Sequence, residues 1–536
     1  MAGLAATFGS GAMTNDIAGM TKSDVALIIG SDTSEAHPVI SARLKRATKD
    51  GMKLIVIDPK KIKMADYADI YACQRPGTDV AVLNGIMHLI IKNGWEDKEF
   101  IEERVEGYEA LKAEVEKFTP EYVEQISGIP AKTLEQIAEM YGRAPTGALY
   151  YAMGITQHTT GVDNVKSTAN LQMLCGNMGK VGGGVNPLRG QSNVQGACDM
   201  GALPVVYTAY QAVTNADVKD KYEKFWGCSL NAANGLPMTV AIDKAYEGEM
   251  KAFYVMGENP MISDPDLHHA EEAFKKLEFL VVQDIFLTET AKLAHVVLPA
   301  STWPEKLGTF TNTERKVQLL EKAVDAPGEA KDDWVIHQML ANKMGQKWDY
   351  NSADDIFSEI ARCTPSYAGM TYNRLRQAGL HWPCPTVEHP GTPVLHIGRF
   401  TRGKGMMFAI PFKAPAEVPD AEYPIYLTTG RVLQQFHTGT MSRKSKGLNN
   451  LAGPSVMVSV EDAEAMGVSN SQMVRVTTRR GSIVTKAFVT KRMPKGTAYV
   501  PFHFAEAPAN VLTNNALDPV AKIPEYKVCA CKLEKA

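Results

Sequence analysis

Short apolar runs that end in glycine punctuate the first part of the chain. Asp24 to Gly30 reads Asp-Val-Ala-Leu-Ile-Ile-Gly and leads into the polar stretch Ser-Asp-Thr-Ser-Glu-Ala-His-Pro. A run this short is not a helix; it predicts a buried strand feeding a polar loop. A helical pattern then covers Val39 to Asp50, and Met52 to Ile57 forms a second apolar run closing on Asp58-Pro59. Strand, loop, helix and strand make one right-handed βαβ unit of a parallel sheet.

The same pattern returns about 230 residues later. Lys251 to Gly257 leads into Glu-Asn-Pro-Met-Ile-Ser-Asp-Pro, then a helix at His269 to Lys276, then Leu280-Val-Val-Gln-Asp284. From loop glycine to strand-end aspartate the spacings are about 28 and about 27 residues, as repeated units show. Similar tails follow, Met64-Ala-Asp-Tyr-Ala-Asp-Ile-Tyr to Pro76 and Thr290-Ala-Lys-Leu-Ala-His-Val-Val-Leu-Pro299. In open α/β sheets ligands bind at the carboxyl ends of strands, where glycine lets backbone approach a phosphate and an acid accepts from ribose hydroxyls or guanine N–H groups. Two units imply two nucleotide-like ligands, or one ligand with two arms. The plainer alternative is that Asp58 and Asp284 cap turns. No G-x-G-x-x-G accompanies either strand, so an ordinary NAD fingerprint is absent.

Between the two units lies a glycine-rich stretch from Gly176 to Asp199, preceded by Tyr150-Tyr-Ala-Met-Gly-Ile-Thr-Gln157. So many glycines among Asn, Gln and Arg predict neither core helix nor core strand, but backbone packed against a polar ligand. Arg189 is the substrate candidate, because a guanidinium fork binds a carboxylate or phosphate through two parallel hydrogen bonds and keeps its charge. A lone arginine is otherwise a surface ion pair.

Length and composition narrow the class. A chain of 536 residues suggests three or four domains and a large core. With 45% hydrophobic and 22% charged residues and a net charge of −3, nothing calls for a nucleic-acid or membrane partner. The longest apolar stretches, such as Val80 to Ile91, are too short to span a bilayer. Eight cysteines show neither disulfide density nor C-x-x-C spacing, which fits a reducing compartment. Cys529-Ala-Cys531 reads as two strand residues facing one side rather than a metal site. The methionines read as core filler, His268-His269 as the first turns of an exposed helix, and 102–117 and 354–362 as charged faces of amphipathic helices.

The motifs together resemble the catalytic (alpha) subunit of formate dehydrogenases, within the bis-molybdopterin-guanine-dinucleotide oxidoreductase superfamily, over nearly the whole chain. Asp58-Pro59, Met153-Gly-Ile-Thr-Gln157, Gly257-Glu-Asn-Pro260, Val282-Gln-Asp-Ile285, and Glu305 to Asn312 with Arg315 resemble its cofactor-cradling segments, while Arg189-Gly-Gln-Ser-Asn-Val-Gln-Gly-Ala-Cys-Asp-Met-Gly201 resembles the formate dehydrogenase branch. The resemblance implies an α/β fold: two related Rossmann-like parallel-sheet domains at 1–191 and 192–405, then a C-terminal six-stranded double-psi β-barrel at 415–536. Val456 to Val460, Met473 to Thr478 and Ile483 to Val489 independently read as small-barrel strands.

The implied cofactor is bis-molybdopterin guanine dinucleotide carrying molybdenum or tungsten. The resemblance assigns Arg189 and Gln191 to substrate. To the cofactor it assigns, in the first unit, Gly30, Ser31, Asp32, Ser34, His37, Asp58, Pro59, Lys60, Gly77 and Asp79, with Met153, Gly154, Gln157 and Gly190 from the centre. The second unit adds Gly257, Asn259, Asp264, Gln283, Asp284, Ile285 and Thr288. The barrel adds Thr429, Gly430, Arg431, His437, Thr438, His503, Asn510 and Lys527, with Asp518 and the 522–527 loop nearby. For any one barrel residue a turn or cap role is an equal reading. No residue present is assigned to the metal.

Family members carry, ahead of the matching segment, a four-cysteine [4Fe-4S] domain and a metal-ligating selenocysteine or cysteine followed by histidine. Two readings are a protein that has lost its ligand and, the one favoured, a reading frame begun after an in-frame UGA. The resemblance implies formate held on Arg189 and oxidised to CO2, or the reverse, with electrons passing to an iron–sulfur subunit or a hydrogenase-type partner in the cytoplasm. Alternatives are another bis-pterin oxidoreductase such as a nitrate reductase, or a non-catalytic electron-transfer or scaffold subunit.

Overall fold

The computed structural model describes residues 1–536. The chain forms two compact units. One comprises Met1–Gly190, Ile262–His268 and Val394–Ala536; the other comprises Gln191–Met261 and His269–Pro393.

In the first unit, β1 (Val25–Ile29), β2 (Lys53–Ile57), β3 (Ile70–Ala72), β4 (Gly147–Tyr151) and β5 (Val185–Pro187) build a parallel sheet in the order β3-β2-β1-β4-β5. Every residue of β1 is buried, as an unbroken apolar run in a sheet covered on both faces requires. The period of two splits the strands between two cores. Leu27, Ile29, Ile55 and Ile57 pack with Ile86, Leu134 and Leu149 on one face; Ala26, Ile28, Leu54 and Val56 pack with Leu44 and Met64 on the other. Each such aliphatic side chain withdrawn from water contributes about 1.5–3 kcal/mol. The helix Pro38–Lys49 follows the expected βαβ crossover, and Val80 to Ile91 lies within the buried helix Asp79–Lys92. Strand order reverses between β1 and β4, which makes their carboxyl ends the natural place for a ligand.

The same unit holds a closed barrel of six strands: Ile425–Gly430, Thr497–Pro501, Ser455–Val458, Ser482–Val489, Met473–Thr477 and Cys529–Lys535, in that order around the wall. Ile425–Gly430 runs parallel to Thr497–Pro501 and antiparallel to Cys529–Lys535. Ser482–Val489 alternates exposed and buried, and Leu427, Val456, Val458, Val474, Val476 and Ile483 fill the interior with Cys529 and Cys531. The two cysteines share one side, as their spacing predicted.

In the second unit β6 (Ala252–Met256), β7 (Phe279–Asp284) and β8 (Val296–Pro299) form a parallel sheet. Ala270, Ala273, Phe274 and Leu277 pack on Val255, Leu280 and Val282. A small antiparallel sheet joins Gly308–Thr311, Lys316–Leu320 and Leu380–His381. The expected helix at Asp354 to Arg362 is present as Ala353–Cys363.

Two expectations need correction. Residues 102–117 do not form one helix: Lys98–Arg104 and Tyr108–Val115 are separated by Val105–Glu106, which pairs with Gly405–Met406, and by Gly107 at φ 85°. Val105, extended at φ −127°, ends the first helix, and left-handed Gly107 is the N-cap of the second. The glycine-rich centre does contain regular structure, β5 and the helix Val194–Asp199. Its positive-φ glycines cluster at Gly176, Gly179, Gly182 and Gly184, which leaves the following residues free to extend.

Candidate functional site

The two βαβ units match in their turns. Gly30 has φ 57° and donates its N–H to Ile57 O at 3.1 Å; Gly257 has φ 62° and donates to Gln283 O at 2.9 Å. Asp58 Oδ1 accepts from Lys60 N at 2.9 Å, while Asp284 Oδ1 accepts from Ile285 N at 2.6 Å and Phe286 N at 3.2 Å. Each strand-end aspartate therefore caps its own turn with one oxygen. Burial pushes the Asp58 carboxyl up to about 7 and raises Asp284 as well.

In the first unit the switch point is closely built. Gly154 donates its N–H to Gly30 O at 3.0 Å, and a Cβ added to either glycine would meet the backbone of the other. Ser31 Oγ pairs with Thr33 Oγ1 at 3.2 Å, and Ser34 Oγ turns to Ser41 Oγ, in the following helix, at 2.9 Å. Lys60 Nζ lies 2.7 Å from Asp32 Oδ2 and 4.1 Å from the centre of the Tyr499 ring. Burial opposes the Lys60 charge, but Tyr499 and Asp32 outweigh it and hold its pKa above the ordinary range. Pro59 accepts from Cys73 Sγ through its carbonyl at 3.3 Å. Met153 is exposed, and Gln157 follows the turn, donating N–H to Met153 O at 3.0 Å. Gly77 packs on Pro415, and Asp79 Oδ1 accepts from Gln74 Nε2 at 2.5 Å.

Arg189 follows β5. Its Nη2 donates to Gly11 O at 3.2 Å, and its carbonyl accepts from His37 Nε2 at 2.8 Å. Gly190 lies against the Arg431 guanidinium, where any side chain would collide. Arg431 stands over the rings of Phe436 and Phe502 at 5.7 and 5.9 Å, and Tyr499 OH donates to its carbonyl at 2.5 Å. His503 Nε2 accepts from Val432 N at 3.0 Å and Nδ1 donates to His437 O, a pattern available only to the neutral ring. Burial lowers His503 and His437 to about 4, with Arg431 contributing, and also lowers His37. Lys527 Nζ donates to Thr429 O at 2.7 Å; burial, then Arg431, brings its pKa down to about 7.

Other barrel residues take structural partners. Thr429 Oγ1 donates to Tyr526 O at 2.8 Å, Gly430 packs on Tyr499, and Thr438 Oγ1 meets Thr440 Oγ1 at 3.0 Å. Asn510 Nδ2 donates to Ile262 O and Ser263 O, both at 2.9 Å, tying the barrel to the segment that contains buried Asp264. Asp518 caps Val162, Val520 and Ala521 N–H groups, the turn role.

In the second unit Asn259 Oδ1 accepts from Thr290 N and Oγ1 at 3.2 and 2.8 Å, Gln283 Nε2 donates to Asp333 Oδ1 at 2.7 Å, and Thr288 Oγ1 accepts from Ala291 N at 3.0 Å. Ile285 lends its N–H to the Asp284 cap. Gln191 leads to the helix Val194–Asp199, whose last carboxylate accepts from Gln195 Nε2, Tyr210 OH and Tyr367 OH, each at 2.7 Å. Arg315, grouped above with the cofactor segments, gives its guanidinium to the carbonyls of Trp382, Thr392 and Pro393, the last two at 2.8 and 2.7 Å.

Sequence reading missed Tyr499, which connects Lys60 to Arg431, and the Asp199 anchor. Tyr499 belongs to no motif, and Asp199, though inside the Arg189 to Gly201 run, shows its role only where Tyr210 and Tyr367 reach it.

The donor set in the first unit fits a phosphate-bearing group. Lys60, Arg431 and Lys527 are buried or nearly so, burial disfavours charge on His37, His437 and His503, and two glycines pack backbone on backbone at a strand-order reversal. Bases whose charge burial penalises are those an incoming anion recharges. The comparisons agree. Residues 3–343 match the model of molybdopterin oxidoreductases and residues 425–530 that of the molydopterin dinucleotide binding domain. The chain is 53% identical to the F420-dependent formate dehydrogenase 1 subunit alpha of Methanococcus maripaludis, over 99% of this chain and 79% of that protein. It is 51% identical to the F420-dependent formate dehydrogenase subunit alpha of Methanocaldococcus jannaschii, over 99% of this chain and 80% of that one. The fold matches acetylene hydratase from Pelobacter acetylenicus with a TM-score of 0.79 at 20% identity, covering 100% of this chain and 80% of that chain. With two matched turns, a cluster of buried basic side chains in the first unit and these relatives, the chain belongs to the molybdopterin oxidoreductase family.

Proposed function

We infer that the chain oxidises formate to CO2, or runs the reverse reaction, with a molybdenum- or tungsten-pterin dinucleotide. The observation that carries this reading is Arg189, set directly after β5 and beside the Gly190–Arg431 contact, in a chain more than half identical to formate dehydrogenase alpha subunits. In the first unit Lys60, Arg431 and Lys527 would hold the phosphates of the cofactor, and Gly30 and Gly154 would admit it against backbone. When bound, the metal–pterin group supplies the two-electron acceptor for the formate C–H bond.

The protein's share is positioning. Arg189 pairs with the formate carboxylate through two N–H groups, which fixes the C–H direction and excludes neutral small molecules of the same size. His37 steadies the Arg189 backbone through its Nε2–H. Burial and the Arg431 charge keep His37 and His437 from adding positive charge of their own, which leaves Arg189 and Arg431 as the guanidinium cations beside Gly190.

The relatives are named F420-dependent, and we adopt the same acceptor for this chain, with electrons leaving through a [4Fe-4S] centre and an iron–sulfur partner subunit. The test is formate-dependent reduction of F420 and of an artificial dye by the purified enzyme, with nitrate as control. Arg189→Ala is expected to lower kcat/KM by about 30- to 1,000-fold, the equivalent of about 2–4 kcal/mol. Unchanged formate turnover in that variant rejects the role.

A further inference from the structure

One buried imidazole beside this site has no part in the reading above. His158 is 2% exposed, and its Nε2 lies 2.7 Å from Gly154 O. A carbonyl only accepts, so this nitrogen carries the hydrogen. The same turn donates Gly154 N–H to Gly30 O. The ring thus holds, from behind, the turn that closes on the β1 loop where the strand order reverses.

Two carboxylates from remote segments flank the ring. Asp79 Oδ2 is 3.8 Å from Nε2 and Glu525 Oε1 is 4.0 Å from Nδ1, and both acid side chains are 1% exposed. Glu525 is fixed by Thr159 N and Oγ1 at 3.2 and 3.0 Å and by Ala416 N at 3.0 Å. Asp79 is held through Oδ1 by Gln74, while its buried Oδ2 accepts no hydrogen bond. A carboxylate oxygen buried without a donor is costly, and the imidazole edge is the positive dipole that faces it. The arrangement leaves the ring little freedom to turn, and the Gly30–Gly154 contact leaves the backbone little room to shift.

We propose that His158 is a positioning residue for cofactor binding: its Nε2–H, faced by the Asp79 carboxylate, sets the Gly154 turn and with it the Gly30–Gly154 backbone pair at the place that receives the pterin dinucleotide. The inference rests on the family's cofactor and not on formate as the substrate. It is tested by counting pterin and metal per chain in purified His158→Ala and His158→Gln enzymes, with formate kinetics on the same samples and circular dichroism to establish folding. Glutamine presents an N–H where the imidazole Nε2–H lies. His158→Ala is expected to retain about tenfold less cofactor under limiting supply, as loss of one buried hydrogen bond implies, with kcat per chain falling in parallel and KM for formate unchanged. His158→Gln restores cofactor content to within about twofold of the parent. Equal cofactor content in the two variants, full or depleted, overturns the proposal. If His158→Ala does not fold, a folded His158→Gln that fails to retain cofactor overturns it, and one that retains cofactor supports it. Pterin content is read without turnover, so a failure of the formate assignment is distinguishable from a failure of this one.

Discussion

Replacing Lys527 by methionine separates the cost of a buried ammonium from its use. Lys527 is 9% exposed, and its Nζ has the Thr429 carbonyl at 2.7 Å as its close partner. Burial, reinforced by Arg431, lowers its pKa from 10.5 to about 7. A group depressed in this way contributes full stability above its unfolded pKa and loses it as pH falls from about 10.5 through about 7. At 1.36 kcal/mol per tenfold, the full penalty is about 5 kcal/mol, of which about 4 is present at pH 7 and about 2 at pH 9. Methionine keeps much of the volume and removes the titration; its packing and the lost bond to Thr429 are the same at both pH values. Urea unfolding of cofactor-free parent and Lys527→Met protein at pH 9 and pH 7 therefore isolates the charge. The variant is expected to gain about 2 kcal/mol relative to the parent on going from pH 9 to pH 7. Guanosine diphosphate, offered as a phosphate probe, should raise the parent's Tm more than the variant's. A parent–variant difference that does not change with pH refutes the burial argument. An equal response to the probe refutes a phosphate-binding role.

Three further outcomes follow from the geometry. Gly154→Ala places a Cβ against the Gly30 backbone, which has no flexible end to give way, and should cost about 1–3 kcal/mol in thermal unfolding together with cofactor retention; an unchanged Tm would show that the turn is slack. Arg315→Met removes the hydrogen bonds of a fully buried guanidinium to the carbonyls of Trp382, Thr392 and Pro393 and should cost about 3 kcal/mol by urea titration, with unfolding of the second unit. His437 and His503, lowered to about 4 from 6.5, contribute stability that is complete above about 6.5 and is lost as pH falls through about 4. His503→Gln should therefore flatten the acid limb of a stability–pH curve of cofactor-free protein between those values, and an identical limb would count against the neutral assignment.

The sequence by itself determined the local elements. Unbroken apolar runs such as Val25–Ile29 could only be strands covered on both faces, and the strand–Gly–loop–helix–strand spacing made the second unit readable as a copy of the first, down to the matching φ of Gly30 and Gly257. The Val-rich run Ile483 to Val489 likewise read as a small-barrel strand, and Cys529 with Cys531 as one side of another. These are properties of near neighbours, so periodicity and turn chemistry carry them. What only the tertiary structure decided are relations between segments hundreds of residues apart. Which of Thr429, Asn510 and Asp518 serve turns and which cations come near one another depends on how the barrel meets the sheet loops. The split of residues 102–117 depends on the Gly405–Met406 strand that pairs there, and the carbonyl-bound role of Arg315 on the fold of residues 382–393. Charge shows the same division: the amino acids set which groups can ionise, but the depression of Lys527 and the neutrality of His503 come from desolvation and from Arg431, which exist only once the chain has closed around them.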